Sequence, residues 1–281
     1  MKKSYQNTLH KKGEPHSYKH DLGQHFLYDE PLLASLVEST GVTSEDYVLE
    51  IGAGSGMLTA ELCKRCKQVI SIEVDEQVLP FLRMKTDEFN NITIVKGDVR
   101  KLDLTSICAD FSKPFYVIAN IPYNITTSIF ELLWHSGLKI KQISVMIQKE
   151  VAEKLIASPS SNGYGFLSVQ CQYYSIPSIV GIVPAEAFTP PPKVDSAFIT
   201  LDMRREPPLP VLDEKILFRM IKASFQLRRK TLPNALGGVT DVAKLKQAMS
   251  NLDIPLTIRG EALSIQQWIS LANEYVTLMG N

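Results

Sequence analysis

The chain has 281 residues, 44% of them hydrophobic, with thirty Lys and Arg balanced by thirty Asp and Glu. This is an ordinary globular composition with enough apolar material for one large domain and a small one. The formal net charge of zero excludes a globally basic protein, so any surface for a polyanion must be local. No apolar run approaches the roughly 18 to 20 residues that span a bilayer, and the opening stretch lacks the apolar block of a secretory signal, so the expectation is a cytoplasmic protein without a membrane segment. Four cysteines fit that compartment. Cys63 and Cys66 form a C-x-x-C, but it lies inside a helical pattern with no second pair at ligand spacing, so both are read as packing residues and no metal is expected.

Residues 1–20 are polar, basic and without period, which reads as a flexible arm whose lysines could grip phosphate. From there strands and helices alternate. Runs rich in Val and Ile occupy Tyr47 to Ile51, Gln68 to Val74, Ile92 to Val95, Phe115 to Ala119 and Gln142 to Ile147. Helical spacing lies between most of them, as in Met57 to Cys66 and Gln77 to Lys85. That alternation predicts an α/β fold with a parallel sheet covered by helices on both faces. Two further runs, Leu167 to Tyr174 and Ala197 to Met203, are separated by a proline-rich loop and are expected to pair antiparallel at one side, giving about seven strands. Arg204 to Asp213 breaks every pattern and reads as a linker; the remainder is helical in spacing.

Ligands of a doubly wound sheet sit at the carboxyl ends of the strands. The first long strand ends in EIGAGSGMLT, where Gly52, Gly54 and Gly56 permit a tight turn and close backbone approach before a helix N-terminus. The spacing is G-x-G-x-G and not the G-x-G-x-x-G of dinucleotide enzymes. Glu73 lies 21 positions after Gly52, about where an acid accepts from ribose hydroxyls. Asp98 ends the third strand, where it could accept from an adenine amine or simply serve a turn. Val74 and Val99 adjoin these acids and are assigned to the same lining. No phosphate-binding lysine loop is present, so an adenosine without pyrophosphate, S-adenosylmethionine, fits best.

The fourth strand delivers Asn120-Ile-Pro-Tyr123 to that rim. An aromatic exocyclic amine is a poor nucleophile because its lone pair is delocalised. Two acceptors holding its hydrogens, the Asn120 oxygen and a carbonyl near Ile121 or Pro122, would aim that lone pair at a sulfonium methyl. Pro122 fixes φ and brings no competing N–H. Tyr123 offers a stacking face. Positioning is then the main catalytic contribution, and no dedicated base is required. The plain alternative is that Asn120 caps the strand and Pro122 opens the next helix.

In the order LGQHFL, EIGAGSGMLT, IEVD, GD, NIPYNI, QKEVAEKL, FTPPPKVDSAF and FQLRRKTLPNAL, the chain resembles the ribosomal RNA adenine dimethylase family of the KsgA/RsmA type, from about Lys19 to Leu236. The resemblance implies a Rossmann-like class I S-adenosylmethionine-dependent methyltransferase sheet over residues 21–206 and a small helical RNA-binding domain over 207–281. It implies Gln24, His25 and Leu27 at the cofactor, Asn120 serving cofactor and catalysis alike, and Phe188 closing the base pocket opposite Tyr123. The implied product is N6,N6-dimethyladenosine at two adjacent adenosines in the 3′-terminal hairpin loop of small-subunit rRNA, within a 30S-like particle and coupled to 30S biogenesis, by a monomer. His25 stands where the family usually has asparagine, Ala53 where proline is common and Ile121 where leucine is common. A backbone contact at position 25 survives its change; an amide side-chain contact does not.

An extruded adenine needs a basic approach. Lys222, Arg228, Arg229 and Lys230 cluster near Phe225 and are assigned to RNA, against the plainer reading of a solvated helix face. The competing functions are a large-subunit adenine dimethylase and a non-catalytic ribosome assembly factor on the same fold.

Overall fold

A computed structural model describes residues 25–280; Gln24 and the arm expected over 1–20 lie outside them. The strands are β1 (Phe26–Leu27), β2 (Tyr47–Ile51), β3 (Gln68–Glu73), β4 (Ile92–Lys96), β5 (Phe115–Asn120), β6 (Ile140–Gln148), β7 (Ser175–Val183), β8 (Phe188–Thr189) and β9 (Ser196–Met203). Seven of them form one mixed sheet in the order β4-β3-β2-β5-β6-β9-β7, with helices on both faces. The pairs β3/β4, β2/β3, β2/β5 and β5/β6 are all parallel. The chain runs outward from β2 through β3 to β4, then returns to β5 on the other side of β2. The reversal therefore falls between β2 and β5, and a cleft opens at their carboxyl ends.

The central strands are buried on both faces, which is why β2 and β5 read as unbroken apolar runs. Glu50 is the exception. It sits in β2 with no exposed surface, and its Oε2 accepts a 2.6 Å hydrogen bond from Thr59 in the helix Met57–Arg65 and another from the Ser71 hydroxyl in β3. Burial is the main cause that raises its carboxyl to about 7. One side chain thus ties the first helix after the glycine loop to two adjacent strands. Cys63 and Cys66 pack in the apolar layer beside it with Val37, Leu62 and Val69, and burial pushes both thiols up to about 12.

The run Leu167 to Tyr174, expected as a strand, lies in a helix, Phe166–Tyr174. Its Val169 and Tyr173 are four apart and enter a core with Leu217, Met220 and Trp268, while the Ser168 hydroxyl accepts from the Gly165 N–H and donates to the Lys154 carbonyl. The strand is the following segment, β7, at the sheet edge, where Pro177 and Gly181 are tolerated and obscure the pattern. The two-residue ribbon of β1 with β8, pairing Leu27 with Phe188, had no signal in the sequence.

Two compact units emerge among the described residues, those up to 149 with 180–200, and 150–179 with those from 201 on. The expected boundary at 206/207 leaves out that the segment 150–179 groups with the C-terminal helices. Tyr164 anchors it there, fully buried, with its hydroxyl donating to the Leu263 carbonyl at 2.8 Å. The helices Glu214–Gln226, Val242–Asn251 and Ile265–Gly280 supply most of that core. Asp213 caps the first of them by accepting from the Ile216 N–H at 2.9 Å. No helix among the described residues is long and apolar enough to cross a membrane.

Gly260 packs so tightly that a Cβ there would stand 1.8 Å from Ser224 Oγ and 2.9 Å from Trp268 Cζ2. Gly260→Ala is expected to cost about 1–3 kcal/mol in chemical denaturation. Glu50 gives a pH signature. Its folded value of about 7 exceeds the ordinary 4.5, so its contribution is fully present below the lower value and is lost as pH rises through the upper one. Glu50→Gln, which cannot titrate, should therefore gain stability relative to the parent between about pH 5 and pH 8, by on the order of 2 kcal/mol in paired denaturant titrations.

Candidate active site

The cleft at the β2/β5 reversal is a cavity of about 280 Å³ built wholly from the sheet-bearing unit. Its floor is the glycine loop. Gly52, Gly54 and Gly56 have φ of 79°, 55° and 86°, the left-handed region that side chains disfavour. A Cβ on Gly54 would meet Phe26 Cε1 at 2.8 Å, and one on Gly52 would lie 3.6 Å from the Asn120 carbonyl oxygen. Gly56 serves differently. It stands outside the lining as the N-cap of the helix Met57–Arg65, and a Cβ there would press on Leu82 at 3.0 Å.

Glu73 closes the loop from the neighbouring strand. Its Oε2 accepts from the Gly54 N–H at 2.7 Å and its Oε1 from the Asp75 N–H at 2.8 Å. A carboxylate has about four acceptor positions, so both oxygens retain capacity for a ligand hydroxyl. Burial raises its pKa, opposed by those N–H donors. Val74 and Val99 line the cavity, as do His25 and Leu27. Asp98 lines it too, with its carboxylate clasped by Arg100, a residue that sequence reasoning passed over.

Asn120 ends β5 at the same rim. Its Nδ2 donates to the His25 backbone carbonyl at 2.9 Å. A carbonyl only accepts, so the amide orientation is settled and Oδ1 remains available as an acceptor. The neighbouring carbonyls divide sharply. That of Pro122 accepts from the Ile125 N–H at 3.2 Å and from Thr126 Oγ1 at 3.4 Å, whereas that of Ile121 accepts no hydrogen bond among the described residues. Of the two, the Ile121 carbonyl is the one with open acceptor capacity among the described residues. Pro122 also opens the turn Tyr123–Ile125 ahead of the helix Thr126–His135, as the plainer reading of that proline has it.

The Tyr123 ring lines the cavity with its hydroxyl 2.5 Å from Ser196 Oγ, and burial raises its pKa. His25 stacks beside it at 5.5 Å between centroids, and the His25 Nδ1–H donates to the Pro190 carbonyl at 2.8 Å. His25 thus holds Asn120 through its backbone, a contact indifferent to side-chain identity. Phe188 departs from expectation. It is buried behind the cavity, outside its lining, in a cluster with Leu27, Leu33, Leu36 and Met146, because its pairing with Leu27 in the β1/β8 ribbon directs it to the core.

The basic cluster also divides. Arg228 donates through Nε and an Nη to Glu261 at 3.3 and 3.1 Å and to the Tyr164 carbonyl at 3.2 Å, so it is committed to its own unit. Lys222, Arg229 and Lys230 are exposed and make no ion pair among the described residues. Among those residues no group of three or more His, Cys, Asp or Glu could hold a metal.

The sequence profile described as Ribosomal RNA adenine dimethylase matches residues 15–277. The chain is 39% identical to Ribosomal RNA small subunit methyltransferase A of Lachnoclostridium phytofermentans, over 91% of each chain. It is 41% identical to the protein of the same name from Bacillus pumilus, over 92% of this chain and 91% of the other. Among solved structures, a dimethyladenosine transferase from Plasmodium falciparum superposes with a TM-score of 0.78 at 26% identity, covering 91% of this chain and 98% of that one. The 23S rRNA methyltransferase ErmE follows with 0.70 at 26% identity, covering 89% and 99%. With a glycine-floored cleft, an amide held open at its rim and a profile match over nearly its whole length, the chain belongs to the ribosomal RNA adenine dimethylase family.

Proposed function

We propose that this protein transfers methyl groups from S-adenosylmethionine to the N6 amines of two adjacent adenosines in the 3′-terminal hairpin loop of small-subunit rRNA. The observation that carries this reading is the Asn120 amide, turned by the His25 carbonyl so that its oxygen can accept, within the cavity floored by the glycine loop. The residues present suit the cofactor. Gly52 and Gly54, both left-handed, make a floor that no side chain fills, Glu73 has acceptor capacity for ribose hydroxyls, and Val74, Val99 and Leu27 supply apolar walls. Gln24, outside the described residues, is assigned to the same pocket. When bound, S-adenosylmethionine supplies an electrophilic sulfonium methyl.

The chain's own contribution is orientation. Asn120 Oδ1 and the Ile121 carbonyl accept the two hydrogens of the target amine, which favours a pyramidal nitrogen and localises its lone pair. Tyr123 supports the base by stacking, worth roughly 1–3 kcal/mol per base. Its Ser196 contact fixes the phenol, and the proton released from the nitrogen passes to solvent. Phe188 contributes from behind, holding the ribbon that carries Leu27 and His25. Extrusion of an adenine from a loop costs a few kcal/mol, and phosphate contacts made by Lys222, Arg229 and Lys230 would offset that cost. The relatives at 39% and 41% identity carry small subunit in their names, which favours a 30S-like particle as the partner over large-subunit RNA. A cytoplasmic monomer is the form proposed.

Labelled methyl transfer into small-subunit particles lacking the modification, followed by nucleoside analysis, tests the reading; label in naked large-subunit RNA alone would redirect it. Asn120→Ala should lower turnover about 10²- to 10³-fold, with a melting temperature within about 4 °C of the parent. Near-parental turnover would remove the amide from the mechanism. Reversing Arg229 and Lys230 to Glu should weaken particle binding more than tenfold and make the salt dependence shallower, by roughly one unit of slope for each phosphate no longer neutralised. An unchanged slope would place the RNA elsewhere.

A further inference from the structure

Asp98 differs from the other acids of the cleft in what holds it. Its Oδ1 accepts from the Arg100 backbone N–H at 3.0 Å and from Arg100 Nε at 2.9 Å, and its Oδ2 accepts from an Arg100 Nη at 2.7 Å. All three donors belong to one residue two positions on. Both side chains line the cavity, Asp98 with 18% and Arg100 with 47% of its side chain exposed. Such a pair ties no distant elements together, and an ion pair this exposed contributes little to folding. What it does determine is orientation. A two-point contact between a planar guanidinium and a carboxylate fixes the plane of both, and a third bond from the backbone fixes that plane relative to the turn at Gly97. With about four acceptor positions on a carboxylate and three taken, one remains, on Oδ2.

We propose that Arg100 is a positioning residue that gives the cofactor pocket its preference for adenine: it holds the Asp98 carboxylate so that the last acceptor position on Oδ2 meets the 6-amino group of the base. This rests on the reading of Asp98 as the adenine acceptor. A 6-amino group donates and a 6-oxo group does not, so an acceptor held in place selects the amine, whereas a carboxylate free to rotate selects weakly. The guanidinium also supplies a permanent counter-charge, so the acid need not lose its charge when a base covers it. The same pairing holds the Asp98 carboxyl at about 2, well below the ordinary aspartate value. Lys101 lends further positive charge to Asp98, and Glu73 lies at the end of the neighbouring strand, engaged by backbone N–H groups.

The test is binding selectivity, read by calorimetry with S-adenosylhomocysteine and its 6-deamino analogue on the full chain. The parent should prefer the amine-bearing ligand by about tenfold, and Asp98→Ala should abolish the preference. Arg100→Met should reduce it to about threefold or less at an unchanged melting temperature. Arg100→Lys, which keeps the charge without the two-point contact, should fall between. The double variant should match Asp98→Ala alone. If Arg100→Met keeps the parental ratio while Asp98→Ala loses it, Arg100 is dispensable and the proposal fails. A further loss in the double variant would mean that Arg100 touches the base itself, which also overturns a positioning role. If Asp98→Ala keeps the parental ratio, Asp98 does not take the amine, and the underlying assignment falls with the inference.

Discussion

The hydrogen bond from the Gly54 N–H to the Glu73 carboxylate is the contact on which the cleft depends. A glycine loop between strand and helix exposes N–H groups with no ladder to join, and buried donors left unpaired are costly. Glu73 takes one of them, the Ile72 carbonyl takes those of Gly52 and Ala53, and the Glu73 carbonyl takes that of Gly97. Three strand ends are thereby fastened across their tips. The loop stays open toward the cavity because the groups that would collapse it are already engaged on the sheet side.

That rim explains how so little chemistry can be asked of side chains. In the proposed transfer nothing in the cleft needs to remove a proton beforehand; what is needed is an acceptor whose direction does not wander. An amide rotates and can present either end. The His25 carbonyl removes that ambiguity for Asn120 at the expense of one donor, and the bond from the Ile121 N–H to the Met146 carbonyl keeps the next peptide in line with β6. The Gly52 position, 3.6 Å from a would-be Cβ to the Asn120 carbonyl oxygen, shows how closely cofactor floor and reaction corner approach.

The parallel strands, the glycine loop, Glu73 and the NIPY corner were all legible in the sequence, because each is a local pattern: buried runs, turns that need left-handed backbone, a proline after an amide. Contacts that depend on pairing at long range were not. Phe188 reads as a pocket aromatic before three prolines, and only its pairing with Leu27, 161 positions away, turns it inward. Arg228 reads as one more cation in a run until Glu261 is seen beside it. The segment Leu167 to Tyr174 is rich enough in aromatic and β-branched residues to pass for a strand, and a core made of distant helices overrides that preference. Glu50 was in plain view next to the glycine loop, yet nothing in the spacing indicated that its carboxylate stands outside the cavity lining and bonds to Thr59 and Ser71.

The three acids at these strand ends are separated by their partners, not by their chemistry. Glu50 and Glu73 lie on adjacent strands, with Glu50 opposite Ser71, and the Glu73 charge adds to the burial that raises Glu50. Two carboxylates in so little water cannot both be ionised without cost. Glu50, wholly buried and held only by two hydroxyls, is pushed up to about 7. Glu73 is held by backbone N–H groups, which favour the charged form of a carboxylate, and burial works against them. Asp98 is kept charged by a guanidinium. The rim thus keeps its acceptors on the two acids that have donors beside them, while the acid without such donors is the one that burial pushes up to about 7.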